Sequence, residues 1–205
     1  MERIIVFKEP DSPVAEAYRI LCTNFLAGKG EKKVIEIVGV AGNTDTSLVT
    51  ANLAVALAQQ GQKVLLMDCN LRSPQQQNIF AIHNHGLTDC LMDLQGFKNY
   101  VQPTEQANLF VLTAGKTVIN PVEILLGQSM QELLNKVRTE YDIVLLDVPP
   151  VISVADAAAL GTKTDGVVLV LTNKKDKVEQ AQKAKSAFNQ AGVVILGCVL
   201  DKVVF

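Results

Sequence analysis

Six short apolar runs, at 34–38, 63–67, 109–113, 143–146, 166–171 and 193–199, alternate along the chain with segments patterned as helices. Continuous apolar runs, unlike alternating ones, belong to strands buried on both faces, and such strands are parallel and joined by helical crossovers. With right-handed crossovers the expected fold class is α/β: a doubly wound, mostly parallel sheet flanked by helices. A chain of 205 residues suits one such domain spanning 1–205, and no repeat, linker or low-complexity stretch interrupts it. The first helix is expected over 13–27, with Ser12 as N-cap, Pro13 in the first position and Gly28 and Gly30 ending it. Further helices are expected at 47–60, 121–141 (capped by Asn120), 156–160 and 177–190. Residues 1–12 read as an extended tail, and 75–100 as short helices around Gly86-Leu87-Thr88.

Formal net charge is −2, so no field draws the whole protein to nucleic acid or to an anionic membrane. No apolar run reaches the ~18 residues of a spanning helix. The start Met-Glu-Arg-Ile-Ile-Val-Phe-Lys is too short and too charged for a signal peptide, so the expected location is cytoplasmic. The cysteines Cys22, Cys69, Cys90 and Cys198 have no C-x-x-C spacing and are expected as buried or semi-buried free thiols. His83-Asn84-His85 lacks a neighbouring acidic or thiol cluster and reads as a polar loop, not as a metal site.

In doubly wound sheets, ligands bind at the carboxyl ends of the strands. Three such ends carry polar residues here: 39–47, 68–74 and 147–150. The first stands where a phosphate-binding loop would run from a strand into a helix. The pattern G-x-x-x-x-G-K-[ST] requires Gly, Gly, Lys and Ser/Thr at 40, 45, 46 and 47; this chain has Val40, Asp45, Thr46 and Ser47. Two other segments imitate such a loop. Ala114-Gly115-Lys116-Thr117 would need Gly in place of Phe110 and is not followed by a helix start. Gly28-Lys29-Gly30 precedes a strand and reads as a solvated basic turn.

Several stretches together resemble the bacterial tyrosine kinases (BY-kinases) of capsule and exopolysaccharide systems, members of the P-loop ATPases. They run in order from 12–19 (Ser-Pro-Val-Ala-Glu-Ala-Tyr-Arg), through Ala51-Asn52-Leu53-Ala54 and Asp68-Cys69-Asn70-Leu71-Arg72-Ser73-Pro74, to Asn120-Pro121-Val122-Glu123 and 141–150 (Tyr-Asp-Ile-Val-Leu-Leu-Asp-Val-Pro-Pro). The resemblance implies a nucleotide site from Gly42, Asn43, Thr44, Asp45, Thr46, Ser47 and Arg72. It implies Mg²⁺ near Ser47, Asp68 and Asp147, the two aspartates being vestigial catalytic candidates. Glu16 and Arg19 match an E-x-x-R-x-x-R oligomerisation motif, whose last arginine is replaced by Cys22. The family's tyrosine-rich C-terminal tail is expected to be absent in cis, since Tyr18, Tyr100 and Tyr141 do not cluster.

The departures lie where the chemistry would be. Thr46 removes the lysine charge, Asp45 adds a carboxylate where a glycine lets the backbone approach phosphate, and Asn70 replaces a second aspartate. A lost charge-assisted hydrogen bond costs ~1.5–3 kcal/mol. A carboxylate ~4 Å from a phosphate charge costs about 4 kcal/mol at an effective dielectric of ~20. A combined penalty of ~5 kcal/mol weakens nucleotide binding more than a thousandfold. The expectation is a catalytically impaired BY-kinase-like protein that regulates or scaffolds exopolysaccharide or capsule biosynthesis or export, with no cofactor. The resemblance implies as partner a membrane polysaccharide co-polymerase or export protein or an active kinase paralogue, with homo-oligomers open and no nucleic acid. The alternative is an active ATP- and Mg²⁺-dependent tyrosine kinase or ATPase that recruits Lys116, Lys174 or Lys175. A partition or division-site ATPase is disfavoured, since the early signature lysine and a basic amphipathic end helix are absent.

Overall fold

A computed structural model describes residues 1, 4–41, 45–83, 85–150, 156–172 and 178–201. Its strands are β1 (Val34–Gly39), β2 (Val64–Asp68), β3 (Gln102–Pro103), β4 (Leu109–Leu112), β5 (Ile143–Val148), β6 (Gly166–Thr172) and β7 (Ile195–Asp201). They form one seven-stranded sheet in the order β3-β4-β2-β5-β1-β6-β7. Every pairing is parallel except that of β3, a two-residue antiparallel edge strand that the apolar pattern does not announce. β1, β2 and β5 are buried at every position, as expected of central strands covered on both sides.

The helices are α1 (Ile5–Lys8), α2 (Pro13–Lys29), α3 (Thr46–Gln59), α4 (Gln76–Phe80), α5 (Leu87–Cys90), α6 (Pro121–Leu126), α7 (Gln128–Glu140), α8 (Asp156–Gly161) and α9 (Val178–Gln190). One core packs α6, α7, α8 and α9 against Val34, Val38, Leu65, Met67, Val144 and Leu146. The other packs α2 and α3 against Ile35, Ile37, Leu66, Leu145 and Val170. α3 is apolar almost all round and needs a second cover. That cover corrects the expectation of an extended tail over 1–12: among its described residues, Ile5–Lys8 are helical. Ile4 and Val6 are fully buried, α1 packs on both α2 and α3, and the Val6 N–H donates to Asn52 Oδ1 at 3.0 Å. The short α1 closes an apolar surface that propensity alone would not have made helical.

Other expectations shift in register. α2 runs two residues past 27, with Gly28 inside it and Gly30 capping at φ 56°; the Ser12 hydroxyl accepts from the Ala15 N–H at 3.1 Å as expected. The single helix expected over 121–141 breaks at Gly127, whose ψ of 160° is extended. Asn120 precedes α6 but makes no capping bond; its side-chain amide donates to Glu123 Oε2 at 3.0 Å. The last strand starts at Ile195, two residues later than 193. Cys22, Cys69 and Cys90 are buried, with thiols held high by desolvation, but Cys198 is exposed on β7.

Candidate functional site

β2 and β5 are adjacent and in register, so Asp68 and Asp147 pair across them and project from the same face of the sheet, toward α3. Neighbouring strands lie ~4.8 Å apart, which brings the two carboxylates together. Both residues are fully buried. Asp68 accepts three backbone N–H groups: Asn70 to Oδ1 at 3.1 Å, and Gln75 and Gln76 to Oδ2 at 3.0 and 2.9 Å. Asp147 Oδ2 accepts from Gln76 Nε2 at 2.7 Å, and the Ser47 hydroxyl also donates to this carboxyl. Asp147 Oδ1 is buried with no partner.

The electrostatics follow from burial. Desolvation pushes Asp68 up to about 8, with the Asp147 charge adding to the rise and the three N–H donors opposing it. Desolvation likewise pushes Asp147 up to about 6, against the bonds from Ser47 and Gln76 and with Asp45 adding to the rise. An oxygen set with one orphaned carboxylate oxygen beside a hydroxyl suits a hard cation that keeps most of its waters. Among the described residues, no group of three or more His, Cys, Asp or Glu forms a metal cluster.

The start of α3 carries the altered phosphate loop. Asp45 is its half-buried N-cap; the Asp45 carbonyl, not the side chain, accepts from Leu48 and Val49 N–H at 3.1 Å each. Thr46 and Ser47 are both buried, and the Thr46 hydroxyl lacks a partner. Gly42, Asn43 and Thr44 lie outside the described residues, as do Lys174 and Lys175. Arg72 follows β2 on the exposed side of its loop. Lys116 sits elsewhere, at the end of β4, 3.1 Å from Asp89 Oδ1. The segment Ala114-Gly115-Lys116 directs its backbone inward: the Lys116 N–H donates to Thr88 Oγ1 at 2.9 Å. A Cβ on Gly86 would lie 2.2 Å from the Thr113 carbonyl oxygen, so only glycine permits this close approach.

On α2, Arg19 bonds Glu16 Oε2 at 2.7 Å and the Pro10 carbonyl. Cys22, at the third motif position, is fully buried, so it faces the core and not the surface shared by Glu16 and Arg19. His85 approaches Asp89 at 3.3 Å; Asn84 is outside the described residues.

Two residues escaped sequence reasoning. Gln76, fully buried between the aspartates, sits in a polar run after Pro74 with no residue type that announces a site. Glu36 had a visible signal, a lone acid inside the apolar run of the central strand β1. It is fully buried, neither carboxyl oxygen has a partner, and desolvation holds its carboxyl well above the ordinary range.

The mostly parallel sheet with an acidic pair at its carboxyl edge, beside the start of a helix, is P-loop NTPase-like, as its structural neighbours are. A family model described as an AAA domain matches residues 32–185. The chain is 38% identical over 201 residues to the tyrosine-protein kinase YwqD of Bacillus subtilis, covering 97% of this chain and 85% of that protein. It is 31% identical to the putative tyrosine-protein kinase CapB of Staphylococcus aureus, covering 97% and 89%. The solved structure of the chimerical protein CapA2B2 superposes with a TM-score of 0.93 at 32% identity, covering 99% of this chain and 91% of that one. The kinase domain of the Escherichia coli tyrosine kinase ETK superposes at 0.88, with 29% identity and coverage of 98% and 82%. The division protein MinD of Pyrococcus horikoshii, solved with Mg-ADP, is more distant, with a TM-score of 0.67, 26% identity and coverage of 82% and 69%. This chain belongs to the bacterial tyrosine kinase family of P-loop ATPases. No helix among the described residues is long and apolar enough to cross a membrane.

Proposed function

We propose that this protein is a catalytically impaired BY-kinase-like domain, cytoplasmic and folded as one unit over 1–205, that acts by binding partners in exopolysaccharide or capsule biosynthesis or export. The single observation that carries the reading is Asp45-Thr46 at the start of α3, where nucleotide-binding relatives of the pattern need glycine and lysine. A helix N-terminus favours a negative charge, and Asp45 already supplies one there. Any phosphate approaching Ser47 meets Asp45 as well as the buried pair Asp68 and Asp147. Gly42, Asn43, Thr44, Thr46 and Arg72 complete the altered loop and its surroundings. The partner would be a membrane polysaccharide co-polymerase or export protein, or an active kinase paralogue engaged through Glu16 and Arg19.

A second reading keeps activity. Ser47, Asp68 and Asp147 retain an arrangement that fits Mg²⁺, whose bound form would supply charge stabilisation to a transferring phosphoryl group. In that reading Lys174 or Lys175 replaces the missing one, Lys116 being engaged with Asp89, and the protein is an ATP-dependent tyrosine kinase or ATPase.

Calorimetric titration with ATP and ADP, with and without Mg²⁺, separates the two. The expected result is no binding at millimolar nucleotide. Micromolar, Mg²⁺-dependent binding would overturn the impaired reading and favour the second.

A further inference from the structure

Gln76 is joined to every element of the buried acidic site. Its backbone N–H donates to Asp68 Oδ2 at 2.9 Å, and its side-chain Nε2 donates both to Asp147 Oδ2 at 2.7 Å and to the Ser47 carbonyl at 3.0 Å. A carboxamide NH₂ has two hydrogens, and both are spent on acceptors, so the orientation of the amide is set by chemistry. Meanwhile the Gln76 Oε1 is buried with no partner, as is Asp147 Oδ1. A side chain chosen only to fill space would not bury an orphaned oxygen while its partner carboxylate keeps a second one, since each unmet acceptor costs free energy. The amide nitrogen sits between two acceptors, Asp147 Oδ2 and the Ser47 carbonyl, in the position where a hard cation would find oxygen ligands.

We propose that the Gln76 carboxamide is a built-in stand-in for a divalent cation. It holds Asp147 and the start of α3 together in the metal-free protein, and is displaced when a divalent ion binds. The backbone bond to Asp68 anchors the residue, so rotation of the side chain alone moves the amide out and leaves the loop 70–76 in place. The consequence is a site whose acidic residues are retained but whose affinity for the ion is lowered by competition from within. The inference stands whether or not nucleotide binds, because it concerns the metal and the chain alone.

The test uses Mn²⁺ without nucleotide, on the full chain. Thermal unfolding is followed in EDTA and across Mn²⁺ concentrations, and bound Mn²⁺ is counted by electron paramagnetic resonance. Gln76→Ala is expected to melt lower than wild type in EDTA and to bind Mn²⁺ on the order of tenfold tighter, the scale of one hydrogen bond to a charged group. Adding Asp147→Asn should abolish that gain. If Gln76→Ala does not fold, Gln76→Glu keeps the chain length and adds a third carboxylate; its melting temperature should then rise steeply with Mn²⁺. Gln76→Ala binding Mn²⁺ no tighter than wild type, or Gln76→Glu indifferent to Mn²⁺ in both readouts, overturns the proposal and leaves Gln76 as an ordinary buried hydrogen-bond donor.

Discussion

Asp165 at one end of the sheet and the pair Asp68 and Asp147 at the other are in opposite electrostatic states. At the amino-terminal end, Asp165 precedes β6 and accepts the N–H groups of Lys33 and Val34 at 2.9 Å each, while Arg138 Nη1 lies 2.6 Å from both its oxygens. Those donors outweigh desolvation and hold its carboxyl below the ordinary range. At the carboxyl-terminal end, Asp68 and Asp147 accept neutral donors only among the bonds described above, and both are pushed up, to about 8 and about 6. Glu36, between the two ends, has no donor and is also pushed up. The difference teaches what each end is for. A carboxylate given a cation in its own chain is a structural clasp that ties α7 to β1 and β6. A carboxylate pair buried without one is a site whose charge is matched from outside or not at all.

The most severe test of this contrast supplies the missing cation to the acidic end. The double variant Asp45→Gly with Thr46→Lys removes one negative charge and adds one positive charge at the start of α3. It is expected to raise affinity for Mg²⁺-ATP on the order of a thousandfold over wild type, measured by calorimetry. No gain would mean that the loop differs in backbone shape as well as in charge.

The next test removes the acid that belongs to neither end. Glu36→Met keeps the length and discards the unpartnered carboxyl, and should stabilise the protein by about 2–4 kcal/mol in denaturant unfolding near pH 8. The sign with pH follows from the raised carboxyl. The folded state holds a proton that the unfolded chain releases above the ordinary carboxylate range, so this stability is present in acid and is lost as pH rises through the folded value. The gain from Glu36→Met should therefore shrink toward pH 4. Asp68 and Asp147 act in the same direction, and wild-type stability should fall between about pH 4 and 8 in the absence of divalent ions.

The smallest expected effect is at the clasp. Arg138 and Asp165 are each about a quarter exposed, at 28% and 23% of their side chains, so solvent screens part of the attraction. Arg138→Ala should cost about 1–2 kcal/mol. The sign is opposite to that of Glu36: a lowered carboxyl contributes stability above the ordinary carboxylate range and loses it as pH falls through its folded value, so the cost should vanish in acid. A cost that does not shrink at all as pH is lowered through the acid range would show that Arg138 acts through packing and its bond to the Lys163 carbonyl.

Much of this was legible in the chain. The strands β1, β2, β4, β5 and β6 fall within a residue or two of the apolar runs, because burial on both faces leaves little choice of residue. Ser12-Pro13 marked the start of α2 because capping is a local event. The break at Gly127 was missed because the apolar residues of α6 and α7 keep helical spacing across it. Asp68 and Asp147 were visible as acids ending apolar strands, and Asp45-Thr46 as a departure from a spacing rule. Their partners were not: Gln76 lies in a glutamine run with no pattern, and the hidden face of Cys22 depends on how α2 rotates against α3 and the sheet.

The sequence by itself determined the layered α/β architecture, the location of the ligand-facing edge and the loss of the phosphate-loop lysine, since all three are written in local composition and spacing. Only the tertiary structure decided that Ile4–Lys8 fold back to seal α3, that Glu36 is buried without a partner, and that one glutamine binds both aspartates and the start of a helix. These depend on contacts between segments far apart in the chain, where desolvation and a few ångströms of separation, not residue type, set the charge and the bond.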